Sequence, residues 1–298
     1  MRYPNNKTSK MKTTKLTGVA LLGLLSLAVM TSSCNKNVEE TATSEETTAS
    51  DNQEANAVGD EASNIVDNAA NGNNLFGRTQ GVAEQLDAMS GCATITRDTL
   101  GVNNYRVTVD FGATNCLCAD GKNRRGKIIA TFSGDYWTNG GVKTITFDNF
   151  YRNDNKIEGT RTVTNQGANA SGNYSWKVVA ANMRLTRTDG KFHTWNSERT
   201  REMLAGYNTR GNWQDDEYQI TGTANGSNSN GVTYTANITT PLHRKLSCRW
   251  IDKGVIEFQN SNGKSRTLDY GDGTCDDKAT VQVTGRRGRT LTRTITLR

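Results

Sequence analysis

From Cys92 onward, apolar and polar residues alternate with a period of two. Tyr105, Val107, Val109 and Phe111 form one such row, and Ile145, Phe147, Asn149 and Tyr151 form another. Val232, Tyr234, Ala236 and Ile238 repeat the pattern, and Leu291, Arg293, Ile295 and Leu297 close the chain on it. Such rows are strands with one face buried and one wet. Between them stand turn-forming pairs and triplets: Asp120-Gly121, Asn139-Gly140, Asn153-Asp154-Asn155, Asn165-Gln166-Gly167, Asp189-Gly190, Asn225-Gly226, Asn230-Gly231, Asn262-Gly263 and Asp272-Gly273. These residues tolerate the positive φ that tight hairpins need. Their spacing leaves no room for crossover helices, so the strands run antiparallel as a meander. Pro4 and Pro241 are the only prolines. About 12 strands are predicted, and a sheet of that size curls, splits into a sandwich or closes toward a barrel. The fold class expected is therefore all-β.

Ahead of the strands the period changes. Val82, Leu86 and Met89 have helical spacing, which predicts a short amphipathic helix over Gly81–Met89. Asn35–Gly72 is composed of Asn, Ser, Thr, Ala and acid, with few branched or aromatic apolar residues. Such composition reads as a disordered tether, with Glu61–Ala70 able to form a transient helix. Before it, Leu16–Met30 is an apolar run preceded by Arg2, Lys7, Lys10, Lys12 and Lys15 and followed by Thr31-Ser32-Ser33-Cys34. A basic start, a short apolar core and a small-residue cleavage site make a secretory signal. The expected organisation is a signal peptide at 1–33, Cys34 and its tether at 34–72, and one β domain at 73–298.

The charge divides along the same lines. The tether holds nine acids against Lys36, a net charge of −8. Residues 73–298 hold 30 basic residues against 21 acids, a net of +9. The basic residues are scattered, apart from Arg286-Arg287-Gly288-Arg289, so a nucleic-acid partner is not expected. Charge on both strand faces also argues against a lipid-facing transmembrane barrel.

The cysteines sit in a repeated cassette. Cys92 leads to Asp110-Phe111-Gly112 and Cys116; Cys248 leads to Asp269-Tyr270-Gly271 and Cys275. In an exported chain this predicts disulfides Cys92–Cys116 and Cys248–Cys275. Cys118 shares a face with Cys116, so Cys92 has two possible partners. There is no Cys-x-x-Cys, and His193 and His243 are the only imidazoles, so neither a metal nor another cofactor is expected.

Cys34 after small residues resembles the lipobox of bacterial lipoproteins, which implies cleavage before Cys34 and acylation of its sulfur and new amine, with palmitate-type chains. Two or three chains anchor stably where one is marginal. The acids after Lys36 resemble surface-export signals of some Bacteroidota lipoproteins; a plain acidic linker is the other reading. Further segments carry a wider likeness. Gly126–Ile129, Thr146–Tyr151, Asn155–Thr160, Trp195–Arg201, Ile220–Thr223 and Cys248–Ile251 resemble a group of Bacteroidota lipoproteins with no assigned chemistry. The likeness spans nearly all of Cys92–Val283 and implies the cell envelope, at the outer membrane on its periplasmic or outer side, and no activity. Asp98-Thr99-Leu100 also matches the Asp-Ser/Thr-apolar pattern of Bacteroides-type O-glycosylation, which marks Thr99.

Candidate chemistry is sparse. Asp148, Glu158, Glu198 and Glu202 are the available carboxylates for glycoside hydrolysis; the alternative is that they face Arg161, Arg199 or Arg201 across wet strands. Asp269–Asp277 is rich in oxygen ligands but lacks the EF-hand order, and reads better as an acidic hairpin turn. Trp176 and Trp250 suit the core, whereas Trp137 and Trp213 sit beside turn residues and are the candidates for an exposed binding surface. The expectation is a non-enzymatic, lipid-anchored envelope module that binds a glycan or a protein. The rivals are a polysaccharide-acting enzyme and a lipid-carrying open barrel with an apolar concave face. Cys34→Ala is expected to yield a soluble or uncleaved product; if the variant stays with membranes after carbonate washing, the anchor reading fails.

Overall fold

The computed structural model describes residues 54, 55, 57–70, 91–209, 212–284 and 288–297. The expected leader, Cys34, most of the tether and the helix predicted at 81–89 lie outside them. The strands are β1 (Thr94–Gly101), β2 (Asn104–Asp110), β3 (Cys116–Leu117), β4 (Asn123–Ser133) and β5 (Val142–Arg152). There follow β6 (Asn155–Ala168), β7 (Tyr174–Thr186), β8 (Phe192–Ala205), β9 (Glu217–Asn228) and β10 (Thr233–Lys245). β11 (Lys253–Asn260), β12 (Ser265–Asp272), β13 (Lys278–Thr284) and β14 (Thr290–Thr296) complete the sheet. All pairings are antiparallel between successive strands, except that β2 pairs with β4 and the two-residue β3 hangs on β4. The sheet does not close: β1 and β14 are its edges.

The alternating rows behave as expected. Tyr105, Val107 and Val109 stand opposite Phe132, Ala130 and Ile128, all buried on one face. The Asn225-Gly226 pair is a departure, since it lies inside β9 and not at a turn. Gly226 is there because the Tyr234 ring lies against it; a Cβ would come within 2.6 Å of Tyr234 Cε1.

Curvature comes from paired irregularities. Gly126 in β4 (φ 81°) faces Asn149 in β5 (φ 45°), and a Cβ at Gly126 would stand 2.0 Å from the Asn149 carbonyl oxygen. Gly159 in β6 (φ 115°) meets Asn182 in β7 (φ 50°) in the same way. A bulge opposite a glycine bends both strands and tightens the twist. The register shifts again where β9 and β11 cross the bulged stretches of β8 and β10. The sheet therefore curls.

The concave side holds a helix, α1, described at residues 54, 55 and 57–70. This corrects the tether reading over this stretch. Ala55, Val58, Ala62, Ile65, Val66, Ala69 and Ala70 are buried in a cluster with Val107, Ile128, Ile145, Ile157, Met183 and Trp195. Among described helix residues, Ala57 and Asn64 alone are exposed. Small side chains let the helix lie close to the sheet: a Cβ at Gly59 would be 2.4 Å from an Arg161 guanidinium nitrogen. A second cluster, with Tyr234, Ile256, Phe258, Leu268, Val281 and Leu297, fills the C-terminal half of the same face.

Each acid of α1 meets a base on the sheet. Glu54 pairs with Arg187 at 2.7 Å, Asp60 with Arg161 at 2.7 Å, and Asp67 with Lys143 at 2.7 Å. Glu61 holds Lys122 at 2.7 Å, Arg124 at 2.5 Å and Arg152 at 3.0 Å. Arg124 and Lys143 have side chains 2% and 1% exposed, so these carboxylates satisfy charges that could not be buried alone. Both Asp60 and Glu61 titrate below the ordinary carboxylate range. At Asp60, desolvation works to raise the value, and Arg161, Arg244, Arg201 and Arg199 together outweigh it. At Glu61, desolvation is outweighed by Arg152, Lys122 and Arg124.

Both predicted disulfides are present. Cys92–Cys116 ties the segment before β1 to β3, and Cys248–Cys275 ties the β10–β11 connection to the β12–β13 connection. The cassette also has a local cause. Gly112 N donates to Asp110 Oδ1 at 2.8 Å, and Gly271 N donates to Asp269 Oδ1 at 2.9 Å. The same Asp-aromatic-Gly turn thus buries Phe111 and Tyr270. Cys118 is a free, buried thiol.

A carboxylate with a depressed pKa stabilises the fold above its unfolded value near 4 and loses that contribution as pH falls through the folded value. Docking of α1 is therefore expected to be complete at pH 7 and to weaken below about pH 4, read as faster amide exchange across 57–70 than in the strands. Glu61→Gln should cost about 2 kcal/mol at neutral pH, because Arg124 keeps Asp120 alone as its carboxylate partner. An unchanged melting temperature would show that this contact contributes nothing. Replacing Cys248 and Cys275 together by Ala should cost roughly 3 kcal/mol in the chain-entropy account, again read by melting.

Candidate functional site

Strand alternation sorts the charged side chains by face, and this decides which of them meet. Glu198 stands opposite Val179 on the convex side, whereas Arg199 stands opposite Val178 on the concave side. The four sequence-marked carboxylates all take the convex side and are scattered there. Glu158 pairs with Lys156 at 2.7 Å and Glu198 with Lys177 at 2.7 Å. Glu202 accepts from Asn169 and Asn173, and Asp148 accepts from Asn149. The expected cross-strand partners Arg161, Arg199 and Arg201 project to the other face, so that pairing is corrected. The concave face is accordingly basic at its centre, where a lipid carrier needs it apolar.

A groove of about 550 Å³ opens at one end of the sheet. Its walls are the β4–β5 loop (Asp135, Trp137, Thr138, Asn139), the end of β6 (Gln166, Gly167, Ala168), Tyr174 at the start of β7, and Tyr207 after β8. The loop is pinned from beneath by Asn165, which is fully buried. Its side-chain nitrogen donates to the Tyr136 carbonyl at 3.0 Å, and its side-chain oxygen accepts from Gly167 N at 2.7 Å. Its backbone joins the same loop: Gly140 N donates to Asn165 O and Asn165 N to Gly141 O, each at 2.9 Å. Asp135 Oδ1 accepts from Trp137 N at 2.9 Å, which fixes the tight turn carrying the indole.

The aromatic rings there are ordered by contact. Trp137 stands edge-on to the buried Trp176, with centroids 6.0 Å apart, and edge-on to Tyr136 at 5.4 Å. Tyr174 and Tyr207 stack with centroids 3.6 Å apart and planes 8° from parallel. Trp137, Tyr174 and Tyr207 are half-buried, and the Asn139, Gln166 and Thr138 residues around them are exposed. Flat apolar rings beside amide, hydroxyl and carboxylate groups suit a ligand with an apolar face and a polar rim.

Trp137, expected as an exposed aromatic, is half-buried and packs against the core clusters at the wall of this groove. The Trp213 side chain lies outside the described residues. Thr99 is exposed on the edge strand β1, open to modification. Trp176 is buried, and Trp250 is half-buried against the second cluster. The acidic hairpin is a run of local turns: Asp272 Oδ1 accepts from Thr274 N and Oγ1, and Asp276 Oδ1 from Lys278 N. Among the described residues no His, Cys, Asp or Glu group has metal-binding geometry. His243 donates or accepts through Nδ1 at 2.7 Å from Asp252, and its Nε2 lies 3.4 Å from Glu217, so the ring clamps β9 to the β10–β11 connection.

Sequence reasoning missed Tyr174 and Tyr207, which are 33 residues apart in the chain. Tyr174 follows the turn cluster Asn169–Asn173 and Tyr207 stands between Gly206 and Asn208, but nothing in the alternation says that two turns share one end of the sheet. No protein-family model matches the chain, and neither a curated protein nor a solved structure matches it.

Proposed function

We propose that this is a lipid-anchored protein of the bacterial envelope that binds a glycan in the groove formed by Trp137, Tyr174 and Tyr207. The observation that carries the reading is the stacked Tyr174–Tyr207 pair beside Trp137, set among Asp135, Asn139 and Gln166. The C–H face of a sugar ring packs on an aromatic face while its hydroxyls reach amide and carboxylate groups at the rim. The groove is shallow, and its lining contributes one carboxylate, Asp135. Glycoside hydrolysis uses two carboxyl groups about 5–10 Å apart, so this lining supports retention of a sugar more than its cleavage. The placement at the envelope, at the outer membrane, rests on the leader and Cys34 pattern of the sequence. In this reading, acylation of Cys34 supplies the anchor, since two or three chains hold a protein at a bilayer stably.

The purified full-length chain is tested against a panel of envelope and capsular glycans by array, then by calorimetry on the best ligand. Trp137→Ala should weaken binding tenfold or more, in line with loss of a stacking contact. Gln166→Ala, at an exposed position, should weaken it about threefold with no change in melting temperature. Binding that both variants leave intact would place the ligand elsewhere, and the absence of any glycan binding would sink the reading.

A further inference from the structure

The concave face carries more positive charge than α1 neutralises. Arg161 stands opposite Ala180, and Ala180 opposite Ser197, which fixes the inward row of β8. Arg199 and Arg201 follow on that row, opposite Gly222 and Ile220 of β9. Arg244 of β10 stands opposite Tyr218 on the same face of β9. Four guanidiniums, those of Arg161, Arg199, Arg201 and Arg244, thus gather around Asp60 of α1, all within electrostatic reach of its carboxylate. Only Arg161 is close enough to pair with it.

The other three have no carboxylate partner among the described residues. The Arg201 guanidinium lies over the Tyr218 ring, 3.7 Å from its centroid. The Nε atoms of Arg199 and Arg244 are buried and have no acceptor among the described residues. Lys143 of the same face is matched by Asp67. Burying like charges is costly unless a counter-charge accompanies them. All three arginines keep part of their surface in solvent, so an ion from solution can reach them.

We infer that Arg199, Arg201 and Arg244, beside the Asp60–Arg161 pair, form a binding site for a phosphate-type oxyanion. Guanidinium forks match the oxygens of phosphate in paired, charge-assisted hydrogen bonds. Charge favours phosphate over carboxylate: a carboxylate brings one negative charge, whereas a phosphomonoester brings about 1.5 to 2 at neutral pH against three unmatched guanidiniums. The ligand arrives either as the free ion or as the headgroup of a phosphorylated amphiphile. The site lies under the middle of the sheet, on residues that the aromatic groove does not use, so it stands or falls independently of glycan binding.

The full-length chain is melted in chloride buffer and again with inorganic phosphate at equal ionic strength. A saturable rise of about 5–10 °C is expected at a hundredfold excess over Kd. Arg199→Gln and Arg244→Gln should each weaken the apparent affinity about tenfold or more. Each also removes an uncompensated buried charge, so each should leave unchanged or raise the melting temperature in chloride alone. Glycerol 3-phosphate separates the sources: binding tighter than inorganic phosphate indicates a headgroup, and weaker binding the free ion. No saturable rise with either compound overturns the site. So does a fall in melting temperature of both variants in chloride, which marks the arginines as structural.

Discussion

An acidic helix inside a basic curled sheet is the arrangement on which the rest of this structure depends. The sheet brings Lys122, Arg124, Lys143, Arg152, Arg161 and Arg187 to face α1. Without carboxylates against them, Arg124 and Lys143 would be buried cations with no compensation, which folded proteins rarely tolerate. Without the sheet, a helix of Ala, Gly, Asn, Asp and Val has too little apolar surface to persist in water. Each element therefore supplies what the other lacks, and the acids of α1 neutralise the cations that lie directly against it.

The geometry that permits this is the curl. A flat sheet of 14 strands would offer the helix one face, and most of α1 would remain wet. Bulges opposite glycines at Gly126 and Gly159 turn successive strand pairs inward. The sheet wraps far enough that Arg199 of β8 and Tyr270 of β12 influence one another electrostatically. The curl also separates the faces by chemistry. Glu158 and Glu198 pair with lysines on the outside, and Arg161, Arg199 and Arg201 share the inside with α1.

Two places are left with chemistry that the fold does not consume. The groove at the sheet end is built from loops held by a buried asparagine, with aromatic faces and amide groups at its mouth. The centre of the concave face holds guanidiniums beyond those that α1 matches. One is suited to a neutral polar ring and the other to an anion, and they draw on different residues.

The strand rows, the antiparallel meander and the two disulfides were legible in the residue order, because a period of two and an Asp-aromatic-Gly turn before a cysteine are local features. Residues 57–70 were not legible as part of the fold. Composition measures how much apolar surface a segment can bury by itself, whereas this segment is held by charges whose partners lie up to 101 residues away, as in Asp60–Arg161. Trp137 could be marked from its turn, but its meeting with Tyr174 and Tyr207 depends on which hairpin ends share one rim of the sheet. The faces taken by Arg199 and Glu198 follow from alternation, yet which face becomes the inside is decided by the direction of the curl. Local periodicity fixes what each strand is; the long-range register, set by bulges and by the helix the sheet encloses, fixes what the strands bring together.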